Sequence, residues 1–240
     1  MDPLSDKKII DSWGKNAIPW IAAVRENQIE SRALITNSAI IESVRSVLVT
    51  RKLANERPME SVLDIGCGEG WLMRELSSGG LSVSGLDVIS DLVTEAETAG
   101  NGKLYLLPYE EMSETTITEK FDLAICNFSL LGKESVDHVF NIVPKLLTNN
   151  GHFIVQTLHP HTVTDNHPYA DGWREGSWTG FDSEFRDPAP WYFRTMETWR
   201  ALFDRSAFDI VECREPINPK TGAIASLIMI GRLTKYGGND

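Results

Sequence analysis

The sequence predicts an α/β protein: a doubly wound, seven-stranded, mostly parallel sheet with a reversed last strand, a helical N-terminal extension and an aromatic-rich insertion. The apolar strand Val62-Leu63-Asp64-Ile65 runs straight into the glycine turn Gly66-Cys67-Gly68-Glu69-Gly70 and then into a helical stretch from Trp71. Buried parallel strands read as such apolar runs, and glycines in the turn keep Cβ atoms out of the space beyond the strand's carboxyl end. From residue 60 onward strand and helix patterns alternate, which builds parallel strands joined by right-handed crossovers. Towards residue 233 two strand patterns, Phe208 to Cys213 and Ala225 to Leu233, are linked by a connector of Pro, Asn and Gly with no helical period. The second has to run antiparallel to the first, and is expected between the fifth and sixth strands.

Residues 1–57 form the extension and 58–240 the sheet domain. Ile9, Ile10 and Trp13, then Trp20, Ile21 and Val24, then Ile40, Ile41, Val44 and Leu48 recur near helical spacing, and Arg57-Pro58 closes the segment. After the glycine turn, the helix from Trp71 to Leu76 ends at Gly79-Gly80, and a second strand, Leu81 to Leu86, stops at Asp87. Ser90 caps a helix to Ala99, followed by the turn Gly100-Asn101-Gly102 and a short third strand, Lys103 to Leu107. Phe121 to Phe128 is a fourth strand, Ser135 to Leu147 an amphipathic helix, Asn149-Asn150-Gly151 a turn, and His152 to Leu158 a fifth strand. Residues 159–194 leave this alternation, holding Trp173, Trp178, Trp191 and several Phe and Tyr residues among Pro, Gly and Asp. A loop of that length with that aromatic content reads as an ordered lid. Thr195 then caps a helix through Trp199, Leu202 and Phe203.

Composition narrows the function classes. With 42% hydrophobic and 24% charged residues the 240-residue chain is long enough for one α/β domain with a sizeable core. A formal charge of -11, from 23 basic against 34 acidic residues, offers no electrostatic footprint for phosphate backbones, so no nucleic-acid partner is expected. Cys67, Cys126 and Cys213 lie far apart in sequence and read as reduced thiols in a cytoplasmic protein. No apolar run approaches the roughly 18 residues of a spanning helix, and Met1 to Lys8 lacks a signal-peptide pattern, so no membrane association is expected. Monomer and homodimer both stay open.

In a doubly wound sheet, ligands occupy the crevice where strand order reverses, between the first and fourth strands. The residues there are specific. Asp64-x-Gly66-x-Gly68-x-Gly70, with acidic Asp87 ending the next strand, resembles the signature of class I S-adenosylmethionine-dependent methyltransferases of the small-molecule type, over roughly residues 60–233. The dinucleotide fingerprint G-x-G-x-x-G spaces its glycines to bring backbone N–H groups against a pyrophosphate. S-adenosylmethionine has no phosphate and carries an ammonium, which makes a carboxylate beside the turn useful. The resemblance implies a Rossmann-like methyltransferase fold, S-adenosylmethionine as donor and S-adenosylhomocysteine as product. It places Asp64, Gly66, Cys67 and Gly68 around the cofactor, with Asp87 and Val88 at the ribose. Tyr109 and Glu110 fall where the family meets the adenine, although Pro108-Tyr109-Glu110-Glu111 also reads as an ordinary helix start. Asn127 and Phe128 fall where the methyl group points. The stretch Asn127-Phe128-Ser129-Leu130 departs from the Asn/Asp-Pro-Pro-Tyr/Phe motif of many amino-methylating members. The extension often covers the cofactor in this fold, so Arg32 is a candidate partner for the methionine carboxylate, and otherwise a surface charge.

Methyl transfer from a sulfonium is an in-line displacement from an activated donor, so positioning dominates, and a base is needed only when the acceptor has to lose a proton. His159, after the fifth strand, is the preferred base, with His161 second; both also read as hydrogen-bonded loop histidines. Their spacing with Asp165 and His167 matches no recognised site, and no metal is expected. Trp13, Trp20, Trp173 and Trp178 are candidate contacts to a small-molecule acceptor, or packing residues. Two other classes remain: an NAD-type oxidoreductase, and a methyltransferase-like protein that binds S-adenosylmethionine without turnover.

Overall fold

The computed structural model describes residues 2–99, 102–163, 167–181 and 184–234. Of the turn at 100–102, its first two residues lie outside this range. α1 (Asp6–Arg25) is capped by Ser5, whose Oγ accepts the Lys8 N–H at 3.3 Å. A π-helical turn, Arg32–Thr36, runs unbroken into α2 (Asn37–Leu53). There follow β1 (Ser61–Ile65), α3 (Trp71–Ser78), β2 (Ser82–Asp87), α4 (Ser90–Ala99), β3 (Leu104–Leu106), a 3-10 turn at Tyr109–Glu111, β4 (Phe121–Asn127), α5 (Glu134–Leu146) and β5 (Leu147–Thr157). The insertion contributes a short antiparallel ribbon, β6 (Gly172–Arg174) with β7 (Trp191–Phe193), before α6 (Met196–Arg205), β8 (Phe208–Arg214) and β9 (Leu227–Leu233).

The main sheet has the order β3-β2-β1-β4-β5-β9-β8. Its strands are parallel through β5, while β9 is antiparallel to both neighbours. The expected seven strands and reversed insertion are thus both present. One boundary differs: the turn expected at 149–151 lies inside β5. Phe121 pairs with Leu147 and Leu123 with His152, so the residues between bulge out of the ladder. Asn150 takes the left-handed φ of 62° that the bulge requires. Buried Asp122 opposite it accepts Thr148 Oγ1 at 2.9 Å and the Glu60 N–H at 2.9 Å, which holds both chain segments to the bulge.

Each face of the sheet carries its own apolar layer. On one side α5 and α6 pack Phe140, Phe203 and Leu202 against Phe153 and Phe208, with ring centroids 5.1 to 5.7 Å apart for Phe140 to Phe153, Phe140 to Phe203 and Phe153 to Phe203. On the other, Ile40, Val44 and Val47 of α2 join Leu72, Met73 and Leu76 of α3 over Val62, Ile125, Ile154 and Ile230. Counted from Arg32, the helix reaches 22 residues, and an 18-residue stretch of it has a mean hydropathy of 1.2. That is longer and more apolar than the sequence reading allowed for, because the π-helical turn adds to it. Ile40 and Val44 are 0% and 1% exposed against the sheet, so its apolar face serves the core. α2 therefore belongs to the sheet's own layer, and α1 is the part of the extension that lies over the carboxyl ends of the strands, beside α4.

Candidate active site

The glycine turn is positioned by its own backbone. Gly66 N and Cys67 N both donate to Leu86 O, at 2.8 and 2.9 Å, tying the turn to the end of β2. Gly68 N donates to Asp87 Oδ2 at 3.0 Å, and Ile89 N to Asp87 Oδ1 at 2.9 Å. A Cβ at Gly66 (φ 75°) would overlap Ser129 Cβ and the Tyr109 hydroxyl, so only glycine lets the β4 loop approach this closely.

These elements enclose a cavity of about 460 Å³ over the carboxyl ends of β1, β2, β4 and β5. Arg32, Asp64, Gly66, Cys67, Gly68, Asp87, Val88, Tyr109, Glu110, Asn127 and Phe128 all line it, as do Trp13, Trp20 and Trp178. At the glycine turn, Asp64 Oδ2, Glu69 Oε1 and Asn127 Oδ1 are acceptor oxygens buried without a donor among the described residues. Burial, together with the charge of Asp87, pushes the Asp64 carboxyl up to about 7, against the pull of Arg32. Burial likewise raises Asp87, against backbone N–H bonds that favour its charged form. Glu69 keeps its other oxygen on Arg74 Nη2 at 2.6 Å. The Arg32 guanidinium lies 5.5 Å from the Trp20 ring centre and 5.3 Å from that of Trp71. Burial lowers its pKa, against the charges of Glu69 and Asp64, but no described carboxylate is within 4 Å of it.

The cover is built from α1 and the insertion. Asn16 holds the Arg186 peptide twice, Oδ1 accepting its N–H at 2.9 Å and Nδ2 donating to its carbonyl at 2.7 Å, while Ser12 Oγ donates to Asp187 O at 2.5 Å. Trp13 meets Trp20 and Trp178 edge-on at 5.0 and 5.6 Å, and Trp178 packs on Phe181 and Phe185. From the other side, Tyr192 N of β7 donates to Leu131 O at 2.7 Å, docking the ribbon on the loop after β4.

Three of the residues singled out from sequence stand elsewhere. His159 is 2% exposed and does not line the cavity. Its Nδ1 accepts the His161 N–H at 3.3 Å, so Nε2 carries the proton and donates to Glu215 Oε1 at 3.1 Å. That arrangement leaves the ring no lone pair for an acceptor. His161 is exposed and stacks on Tyr169 at 4.8 Å. Trp173 meets Tyr192 edge-on at 5.5 Å, outside the lining. Among the described residues no group of three His, Cys, Asp or Glu is gathered for a metal ion, and Asp165 lies outside them. Sequence reasoning missed Glu69, Asp6 and Arg194, all of which line the cavity. Glu69 carried a signal, a carboxylate inside the glycine turn. Asp6 and Arg194 carried none, since both act on Lys133 from distant parts of the chain.

A seven-stranded sheet with this reversed insertion, and a glycine turn flanked by Asp64 and Asp87, defines the class: the S-adenosylmethionine-dependent methyltransferase fold. Residues 56–190 match the model of a methyltransferase domain family, and the chain belongs to that family. Membership sets aside the oxidoreductase reading. Solved structures share the fold at low identity. An S-adenosylmethionine-dependent methyltransferase from Mesorhizobium loti is 23% identical, with a TM-score of 0.57, over 72% of this chain and 90% of its own. The 1,6-didemethyltoxoflavin-N1-methyltransferase of Burkholderia thailandensis, solved with 1,6-didemethyltoxoflavin and S-adenosylhomocysteine, is 17% identical with a TM-score of 0.60, over 92% and 88%. Magnesium protoporphyrin IX methyltransferase from Synechocystis PCC 6803 is 16% identical with a TM-score of 0.52, over 80% and 79%. Among curated proteins none matches the chain.

Proposed function

We propose that the protein transfers the methyl group of S-adenosylmethionine to a small-molecule acceptor held between the loop after β4 and the aromatic cover. One observation carries this: at the glycine turn Asp64 Oδ2, Glu69 Oε1 and Asn127 Oδ1 are buried acceptors without a donor among the described residues, beside a guanidinium with no described carboxylate within 4 Å. Unmatched buried acceptors call for a ligand with donors and positive charge, and the guanidinium calls for a carboxylate. An amino-acid tail carries both.

Asp64, Glu69 and Asn127 would hold the ammonium, and Arg32, stiffened between Trp20 and Trp71, the carboxylate. Each Asp87 oxygen accepts one backbone N–H and keeps lone-pair capacity for a ribose hydroxyl. Tyr109 and Val88 supply apolar surface for the base. Bound there, S-adenosylmethionine supplies a methyl group already activated by the sulfonium charge. What this chain's residues contribute is orientation and the exclusion of water by Trp13, Trp178 and Phe181; holding reactants in place can supply on the order of 7 to 11 kcal/mol. No base at His159 is invoked, which favours acceptors that attack through an existing lone pair.

The test is a calorimetric titration with S-adenosylhomocysteine and, separately, NADH, followed by incubation with labelled S-adenosylmethionine and a metabolite pool. S-adenosylhomocysteine binding and label transfer are expected. Binding of NADH alone would reject the reading, and cofactor binding with no transfer to any acceptor would reduce the protein to a binding module.

A further inference from the structure

The cavity holds a second guanidinium. Arg194, immediately after β7, is 3% exposed and lines the cavity. Nη1 donates to Gly132 O at 2.8 Å and Nη2 to Lys133 O at 2.9 Å, using two of its five N–H groups. The planar group lies 4.9 Å from the Tyr192 ring centre and 5.4 Å from that of Trp199. The carboxylates that act on it, Asp137, Asp171 and Asp6, are all beyond 4 Å. Asp6, which also lines the cavity, has one oxygen on the Lys133 N–H and the other on the Ser135 N–H, both at 2.7 Å. Its charge is thus turned to the start of α5. A buried cation without a close counter-ion is costly unless an anion reaches it. Tyr192 beside it lines the cavity, as do the aromatic residues Trp191, Phe193 and Trp178.

We infer that the acceptor is a planar aromatic or heteroaromatic acid, whose anionic group lies against Arg194 while its ring lies along Tyr192. This rests on the reading of the cavity as a methyl-acceptor site and narrows it to a substrate class. Guanidinium and carboxylate pair in a planar, two-point fashion, and the preset plane of Arg194 over two rings limits the ordering cost. The anionic group anchors the acceptor, and the loop Asn127 to Leu130 faces the rest of the ring.

The experiment saturates the protein with S-adenosylhomocysteine and titrates matched pairs: benzoate and benzamide, 2-naphthoate and 2-naphthamide, indole-3-carboxylate and indole-3-carboxamide. At least one acid is expected to bind about tenfold or more tightly than its amide, with that preference lost in Arg194→Gln while S-adenosylhomocysteine affinity is unchanged. Amides binding as well as acids, or no acid binding at millimolar concentration, overturns the inference. If Arg194→Gln fails to fold, the acid-to-amide ratio in the unaltered protein still decides. If the inference fails, S-adenosylhomocysteine binding by the unaltered protein leaves the methyltransferase reading standing, and absence of that binding removes both.

Discussion

Asp64 is held at a cost to the fold. Its pKa is raised from the ordinary 3.8 to about 7 by burial, so the folded protein binds a proton more tightly than the unfolded chain does. Stability linked to this group is full below about pH 4, falls as the pH rises, and levels off above about 7. In protein measured without ligand, Asp64→Asn is therefore expected to raise the melting temperature at pH 8 by several degrees. A cationic ligand group reverses the balance, because it favours the ionised carboxylate. S-adenosylhomocysteine affinity should fall as the pH drops below 7, with proton release seen as a buffer-dependent heat at pH 6, and Asp64→Asn should weaken binding and flatten that dependence. Pipes and Bis-Tris titrations with identical heats would sink the assignment. Asp87→Ala should cost about 1 to 3 kcal/mol of cofactor affinity through loss of a charged acceptor; unchanged affinity would move the ribose elsewhere. Both aspartates were legible in sequence, because a carboxylate at the edge of a glycine turn and another at a strand end are local patterns. His159 was not, since the Glu215 carboxylate that accepts its Nε2 hydrogen bond lies 56 positions away.

At the scale of elements, α1 and the insertion act together. Asn16 is buried in α1, and its amide holds both the N–H and the carbonyl of the Arg186 peptide while also donating to Ser12 O. Asn16→Ala should loosen residues 176–190 by on the order of 1 to 3 kcal/mol and speed both limited proteolysis there and S-adenosylhomocysteine dissociation, with little change in urea midpoint. Cleavage at the original rate would show that α1 does not secure the cover. The turn into α3 makes a different demand. Gly70 has φ 82°, and a Cβ there would come 2.9 Å from Ala96 Cβ. Gly70→Ala is accordingly expected to cost about 1 to 3 kcal/mol in urea unfolding, and an unaltered midpoint would refute the steric argument. The helical spacing of Trp13 and Trp20 was readable in the chain. Their partners were not: nothing near α1 in sequence announces Trp178 or Arg186, so packing and site contact could not be told apart there.

Across the whole molecule, stability and site are carried by different layers. Phe203 is fully buried between Phe140, Phe153 and Phe208, faces Gly231 of β9, and does not itself line the cavity. Phe203→Ala should lose about 3 to 5 kcal/mol of stability yet keep S-adenosylhomocysteine affinity at low temperature; a large loss of affinity in folded variant would show that the two layers are coupled. The sequence by itself determined the alternation of strand and helix, the antiparallel β9 and the cofactor turn. Each of these is written in neighbouring residues, as a period, a connector without a helix, or a glycine spacing. Only the tertiary structure decided that α2 joins the sheet layer while α1 covers the cavity, that His159 is committed to Glu215, and that Asp6 and Arg194 converge on the loop after β4. The contacts of His159, Asp6 and Arg194 join residues more than fifty positions apart, and no local pattern records which side chains the folded backbone brings face to face.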